Sequence, residues 1–365
     1  MTALAHKPVD QGFAAKDTTG RQQHISEMFA YAFCGRADHF ASMRRSTRCH
    51  HDLKWPLSAL IPSPFTAIAS ILDRLMSTQT PHNPFRRSDV IRRFDRAAAD
   101  FADSDFVHRH ACDGLLERMR PMQLKAKRIL DLGCATGAGS RQLSRALRRN
   151  HVISLDISQS MLQCARQQRS RLARISELRA DAMQLPLNTG SVDLVFANML
   201  LPWIGDLDGF FTEVARVLRN DGLFAYSTLG PASLAGLRQA WSSVDDHAHV
   251  NPFVDMHNVA DAVMRAGLRD PIVDIDPLFI SYRDLSALFR DLTATGARNC
   301  LRTRFPHLTG KQHFQRMRHA LQKQFHGGTL SVELEIVYGH AWGGGPRQKP
   351  GEFRVDPSQI GRRQG

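Results

Sequence analysis

The segment Arg128-Ile-Leu-Asp-Leu-Gly-Cys-Ala-Thr-Gly137 restricts what this chain can fold into more than any other part of it. An apolar run breaks at a glycine, turns within five residues and opens into a stretch at 140–149, where Leu143, Ala146 and Leu147 share one face at helical spacing. That reads as strand, tight turn, helix, and the pattern then repeats. Strands are expected at 152–157, near 176–180, at 192–198 and at 222–228, with helices at 159–168 and 207–218. Short apolar runs separated by amphipathic helices predict a parallel, doubly wound sheet, an α/β Rossmann-like fold. Upstream, helices are expected from Asp89 to Ala99 and from Ala111 to Met119. Downstream, two longer β-rich runs, 271–282 and 330–342, read as a hairpin-like pair at the sheet edge, one of them antiparallel. The 283–329 stretch between them is mostly helical, too long for a turn and suited to a lid insertion.

The ends of the chain read differently. Residues 1–85 show neither helical nor strand periodicity and are expected to be a poorly ordered extension, with Met76 a plausible natural start. The Gly- and Arg-rich 343–365 stretch reads as a disordered tail. The domain is therefore expected over 86–342. The best membrane-span candidate, 55–72, is broken by Pro56, Pro62 and Pro64, and no secretory leader is evident, so a cytoplasmic monomer is expected. Six cysteines lie scattered without CxxC spacing, which suits reduced thiols. Cys49-His50-His51-Asp52 lacks partners at ligand spacing, so no metal is expected. The formal charge of +13 favours an anionic partner, and by itself leaves nucleic acid, an anionic membrane, an acidic protein and a solvated basic surface with no specific partner all open.

Chemistry concentrates where the expected strands end. Gly133 and Gly137 let the backbone turn and approach a ligand closely. The dinucleotide pattern GxGxxG is interrupted at Ala135, yet a dinucleotide remains a rival on the turn alone. Asp156 ends the next strand about 20 residues on, where a carboxylate meets two ribose hydroxyls. This implies a nucleoside without choosing the cofactor. Asp181, after the third strand, makes the choice, because an acid there suits the adenine amino group of S-adenosylmethionine (SAM). Asp131 can then accept from the ligand's ammonium group. Cys134, Ala135, Ile157, Ala182 and Asn198 complete the expected cofactor contacts.

This ordered set resembles the class I SAM-dependent methyltransferase superfamily over about 128–230, which implies a seven-stranded, mostly parallel sheet with an antiparallel last strand. Ala135 stands where that superfamily more often has glycine, and tolerance is expected. The resemblance continues in Phe94-Asp-Arg-Ala-Ala-Ala99, Leu200-Leu-Pro-Trp203, Ser227-Thr-Leu-Gly-Pro231, Leu237-Arg-Gln-Ala-Trp241, Asp255-Met-His257, Ala266-Gly-Leu-Arg-Asp-Pro271, Gly296-Ala-Arg-Asn299 and Val337-Tyr-Gly-His-Ala-Trp342. These look like the malonyl-acyl-carrier-protein O-methyltransferases of biotin synthesis, over about 89–342. Many members carry Tyr where this chain has Phe101. The resemblance implies methyl transfer from SAM to the free carboxylate of a malonyl thioester on acyl carrier protein. A carboxylate is already an anion at neutral pH, so no general base and no catalytic residue is expected. Acyl carrier proteins are acidic, which gives the basic surplus a partner. Arg298, Arg302 and Arg304, with Lys311, Arg316 and Arg318, crowd the expected lid, and Arg141, Arg145 and Arg148 share a helix face. Trp203 and Tyr282 are candidates for the acyl pocket, while His257 and His340 read as structural.

Two other readings share the core: a quinone-pathway small-molecule methyltransferase, and a complex I assembly factor of SAM-binding fold. The C-terminal Tyr-Gly-His-Ala-Trp and the basic lid favour the malonyl reading. Nucleic-acid methylation is disfavoured because Asn198-Met-Leu-Leu-Pro202 lacks the Asn/Asp-Pro-Pro-aromatic pattern.

Overall fold

The computed structural model describes residues 83–147, 149–304 and 307–344. The expectations for residues 1–82, the Cys49–Asp52 cluster, Arg148 and the tail from 345 fall outside them. The packed domain reaches back to Asn83: Phe85 is buried and bridges Leu301.

Three helices precede the sheet: α1 (Arg87–Ala97), α2 (Phe101–Ser104) and α3 (Phe106–Met119). The alternating part then runs β1 (Arg128–Leu132), α4 (Ala138–Ala146), β2 (His151–Asp156), α5 (Gln159–Gln168), β3 (Ile175–Arg179), β4 (Val192–Asn198), α6 (Leu207–Val217) and β5 (Leu218–Leu229). Two helices not read from the sequence follow, α7 (Ala235–Ser242) and α8 (Met256–Arg265). The chain continues through β6 (Arg269–Tyr282), α9 (Leu285–Ala294), α10 (Lys311–Gln322) and β7 (Leu330–Trp342). The helices begin where local chemistry satisfies their free amides: Ser158 Oγ accepts from Met161 N, Asp206 from Gly209 N and Asp255 from His257 N.

The seven strands lie in the order β3-β2-β1-β4-β5-β7-β6. The first five are parallel, β7 runs antiparallel to β5, and β6 pairs antiparallel with β7. Alternate strand residues feed opposite faces, as the two-residue period requires. Ile129, Val152, Leu194 and Phe196 pack with Leu115, Leu143 and Trp241. Leu130, Leu155, Val195 and Phe224 pack with Phe210, Phe211, Val214 and Val263. Both faces are covered, and this explains the unbroken apolar runs of β1 and β4. Asp193 is a buried exception: its carboxylate accepts from the amides of Lys127 and Arg128 and pairs with Arg219, tying the start of β1 to the start of β5.

β6 is the edge strand, exposing Ile272 and Phe279 but carrying Pro271 and Pro277. Each proline removes a backbone donor and makes the edge a poorer template for another strand. Within the 283–329 stretch, α9 and α10 pack on the domain: Leu285, Leu288, Met317 and Leu321 are buried in its core.

Candidate active site

The strand order reverses between β1 and β4, and in open α/β sheets ligands bind at the carboxyl edge of such a switch point. Register brings the expected residues together there. Leu132 lies beside Leu155, Asp156 beside Arg179, and Asp131 beside Phe196. The turn after β1 is stitched to β2, with Gly133 N and Cys134 N both donating to Leu155 O (2.8 and 3.1 Å). Gly133 has φ +70° and leaves space against Leu200, and Gly137 has φ +76° against Ala165. Ala135 between them is also left-handed, at φ +45°. For an alanine this costs about 1–2 kcal/mol, the physical reason glycine suits the position. Its amide donates to Asp156 Oδ2 (3.0 Å), which helps hold the strained residue in place.

Two carboxylates dominate the electrostatics. Asp131 is only 2% exposed; Ser140 Oγ donates to it (2.5 Å), and Ser154 Oγ donates in turn to Ser140. Burial pushes the Asp131 carboxyl up to about 7, opposed by Ser140 and assisted by the charge of Asp156. Asp156 accepts from Ser158 N (2.8 Å) as well as Ala135 N, yet burial still raises it to about 6. Beside them Ile157 is half-buried, and the Cys134 thiol is buried and pushed far above its ordinary range, so it stays protonated.

Asp181 is engaged from an unexpected direction. One of its oxygens accepts from Met183 N and the other pairs with Arg87 of α1 (2.7 Å), with the neighbouring Ala182 buried. α1 is held across the site by a second contact, because Asp95 accepts from Ser158 Oγ (2.6 Å) and Ser160 N. Sequence reasoning missed Arg87 and Asp95. Both sit on a helix whose position over the cleft is a tertiary fact. Asn198, at the end of β4, bonds within the domain through both ends of its amide: Nδ2 donates to His108 O (2.9 Å), and Oδ1 accepts from Ser227 Oγ (2.6 Å).

Next to Asn198 a cavity of about 100 Å³ opens among the ends of β4 to β7, α3 and α9. Trp203 and Tyr282 both line it, Trp203 set edge-on to Phe94 (4.9 Å) and near Phe85 (6.1 Å). Two more residues with left-handed backbones, Met199 (φ +57°) and Leu234 (φ +57°), also line this cavity. Strain of this kind clusters at functional sites. The three arginines expected on the lid are not among the residues that line it. Arg302 donates to Phe85 O (3.2 Å) and Arg304 pairs with Asp89 (3.0 Å), so both clamp the N-terminal segment, while Arg298 is exposed. Of the arginines on the face of α4, Arg141 donates to Thr136 O (2.8 Å) and Arg145 is exposed. Phe101 is buried beside Met161 and its ring meets that of His108 (5.0 Å). His257 is exposed against Asp255, and His340 is half-buried in β7. Among the described residues no three ligating side chains gather as a metal would require, and no helix is long and apolar enough to cross a membrane.

The sheet order, the glycine turn and the acids closing successive strands define a class I SAM-dependent methyltransferase, and residues 130–226 match the family model described as a methyltransferase domain. A malonyl-[acyl-carrier protein] O-methyltransferase of Gallionella capsiferriformans is 38% identical over 260 residues, covering 70% of this chain and 90% of the relative. Those of Laribacter hongkongensis (38% over 264 residues, 70% and 89%) and Methylovorus sp. (37% over 262 residues, 70% and 88%) are similarly alike. The chain belongs to the malonyl-[acyl-carrier protein] O-methyltransferase family.

Proposed function

We propose that this protein transfers the methyl group of SAM to the free carboxylate of a malonyl thioester carried on acyl carrier protein, a step of biotin synthesis. The observation that carries this reading is the apolar cavity that opens next to the carboxyl end of β4, in a chain of this family. The residues fit the cofactor. Gly133 and Gly137 leave the cradle open, and two buried carboxylates with raised proton affinity invite a cation and hydroxyl donors. Asp131 would hold the ammonium group. Asp156 spends two of about four lone-pair sites on backbone amides and keeps the rest for the ribose hydroxyls. Asp181 would face the adenine amino group, with Arg87 closing over it.

SAM supplies a sulfonium methyl already activated for displacement. A carboxylate oxygen of the acceptor forms the new bond to the methyl carbon, and the carbon–sulfur bond breaks with its electron pair left on sulfur. No proton moves, so the protein's task is in-line placement and exclusion of water, where oriented proximity contributes up to about 7–11 kcal/mol. Trp203 and Tyr282 supply apolar wall to the acceptor side. The exposed Arg298 is offered to the acidic carrier.

Incubation with SAM and malonyl-acyl carrier protein is expected to raise the carrier's mass by one methyl substitution. No gain, with SAM binding shown separately, rejects the acceptor. Affinity for SAM is also expected to depend on pH. The ligand needs both carboxylates ionised, so Kd falls as pH rises through about 6 and about 7, and levels above that range. Calorimetry across this interval checks it, and a flat profile would remove Asp131 and Asp156 from the binding site.

A further inference from the structure

Over much of the domain an arginine has a carboxylate beside it. Arg87 meets Asp181, Arg166 and Arg169 share Glu177, Arg265 meets Asp208 and Arg269 meets Asp221. One stretch departs from this pattern. Between Asp291 and Glu333 the sequence carries seven lysines and arginines and no acid. Arg302 and Arg304 are spent inside the domain, on Phe85 O and Asp89. Lys311, Arg316, Arg318 and Lys323 belong to α10 and its C-cap. The inward face of this helix buries Met317 and Leu321 and sets Phe314 against Phe289 of α9 (5.5 Å). The helical period then turns Arg316, His319 and Lys323 to the opposite side, where all three are exposed, as is Lys311 in the first turn. Among the described residues no carboxylate pairs with Lys311, Arg316, Arg318 or Lys323. Lys311 also stands at the positive end of the helix dipole, where a cation is disfavoured. The fold gains nothing from this arrangement, whereas an anion outside the domain would be drawn to it.

α10 borders the acceptor cavity. β6 and β7 continue past the end of β5, from the Leu229–Ile336 pair out to the Tyr282–Leu330 pair, and carry the cavity wall beyond the carboxyl edge of the sheet. α9 lines the cavity with Leu288 and Leu292 and meets α10 through Phe289. Gln324, just past α10, donates to Gly236 O (3.1 Å) in α7, whose N-cap Leu234 also lines the cavity. We propose that the exposed face of α10 is the docking surface for the acidic body of acyl carrier protein, and that it favours a thioester on the carrier over the same thioester on coenzyme A. This assignment rests on the functional reading above. A carrier sends only its thioester into the site and keeps its body outside, so it needs a foothold beside the cavity. Coenzyme A has no protein body to lay along α10. The cavity of about 100 Å³ suits a small acyl group, which favours a carrier over a nucleic acid or an anionic membrane as the partner. Exposed charges act on encounter and orientation and are screened by salt, so the effect belongs in KM.

The test measures KM for malonyl-acyl carrier protein and for malonyl-coenzyme A with the full chain and saturating SAM. The triple variant Lys311→Glu, Arg316→Glu, Lys323→Glu is expected to raise KM for the carrier at least about tenfold. KM for malonyl-coenzyme A and the SAM Kd should stay within about threefold. A control, Arg120→Glu, Lys125→Glu, Arg145→Glu, makes the same change in net charge at exposed positions near the opposite edge of the sheet. It should move the carrier KM by less than about threefold. Added salt should raise the wild-type carrier KM and leave that of the α10 variant nearly unchanged. A carrier KM in the α10 variant within about twofold of wild type overturns the assignment, as does an equal rise in the control or for malonyl-coenzyme A. If the glutamate variant does not fold, Lys311→Gln, Arg316→Gln, Lys323→Gln decides: a rise of at least about threefold is expected, and an unchanged carrier KM overturns the assignment. Tighter binding of wild type to phosphatidylglycerol vesicles or duplex DNA than to the carrier, lost in the α10 variant, overturns it as well. Titration of the carrier without SAM reads docking apart from turnover. Carrier binding that depends on α10, without methyl transfer to either thioester, supports the surface and rejects the functional reading.

Discussion

Replacing Asp156 with Ala is expected to weaken SAM binding by at least about a hundredfold. Two charge-assisted hydrogen bonds to a ribose, at about 1.5–3 kcal/mol each, correspond to roughly two to four decades of affinity. Asp156 also organises the site before any ligand arrives. Its oxygens accept from Ala135 N on one side and Ser158 N on the other, joining the glycine turn to the start of α5. The carboxylate is 8% exposed, and burial has already raised its proton affinity. It therefore gains more from bound hydroxyls than an exposed acid would. Asp156→Asn keeps the size of the side chain but gives up one acceptor oxygen, and should fall between wild type and the alanine variant. Calorimetric titration with SAM decides the matter. An affinity of Asp156→Ala within about threefold of wild type would overturn the ribose assignment.

The second large effect is on stability. Gly339 lies opposite Tyr226 in the β5–β7 register, and a Cβ on it would clash with the phenol end of the Tyr226 side chain, at Cζ, Oη and Cε1. That ring has nowhere to go. Tyr226 is 1% exposed, stacks on Phe224 (5.1 Å) and stands near Phe211 (6.3 Å). Gly339→Ala should therefore cost the upper part of the ~1–3 kcal/mol typical of overpacking. At roughly 2–4 °C per kcal/mol for a domain of about this size, the melting temperature should drop by about 5–10 °C. Thermal unfolding followed by circular dichroism checks this, and an unchanged midpoint would mean the ring yields freely. The same contact explains the glycine in Val337-Tyr-Gly-His-Ala-Trp342: the motif is set by packing of β7 on β5.

The parallel core was legible because strands buried on both faces write themselves as unbroken apolar runs, and β4 occupies the expected 192–198 in full. Helix α5 likewise matches its expected bounds, since Ser158 caps it locally. α7 and α8 were not read as elements, although each buries one face and Asp255 caps α8 locally. α3 begins at Phe106, ahead of the expected Ala111, and the missed turn contains His108. A Ser104-Asp105 pair before a helix was the available signal.

The sequence by itself determined the strand-end acids, the glycine turn and the late antiparallel pair, because each depends on chemistry within a few residues of the chain. Only the tertiary structure decided what those acids and cations touch. Arg304 meets Asp89 across 215 positions of sequence, and Arg87 reaches Asp181 from a helix before the sheet begins. Charge shows in a sequence, but its partner does not, since pairing is fixed by which elements the core brings together. The same holds for His108. Its carbonyl is held by Asn198, 90 residues further along.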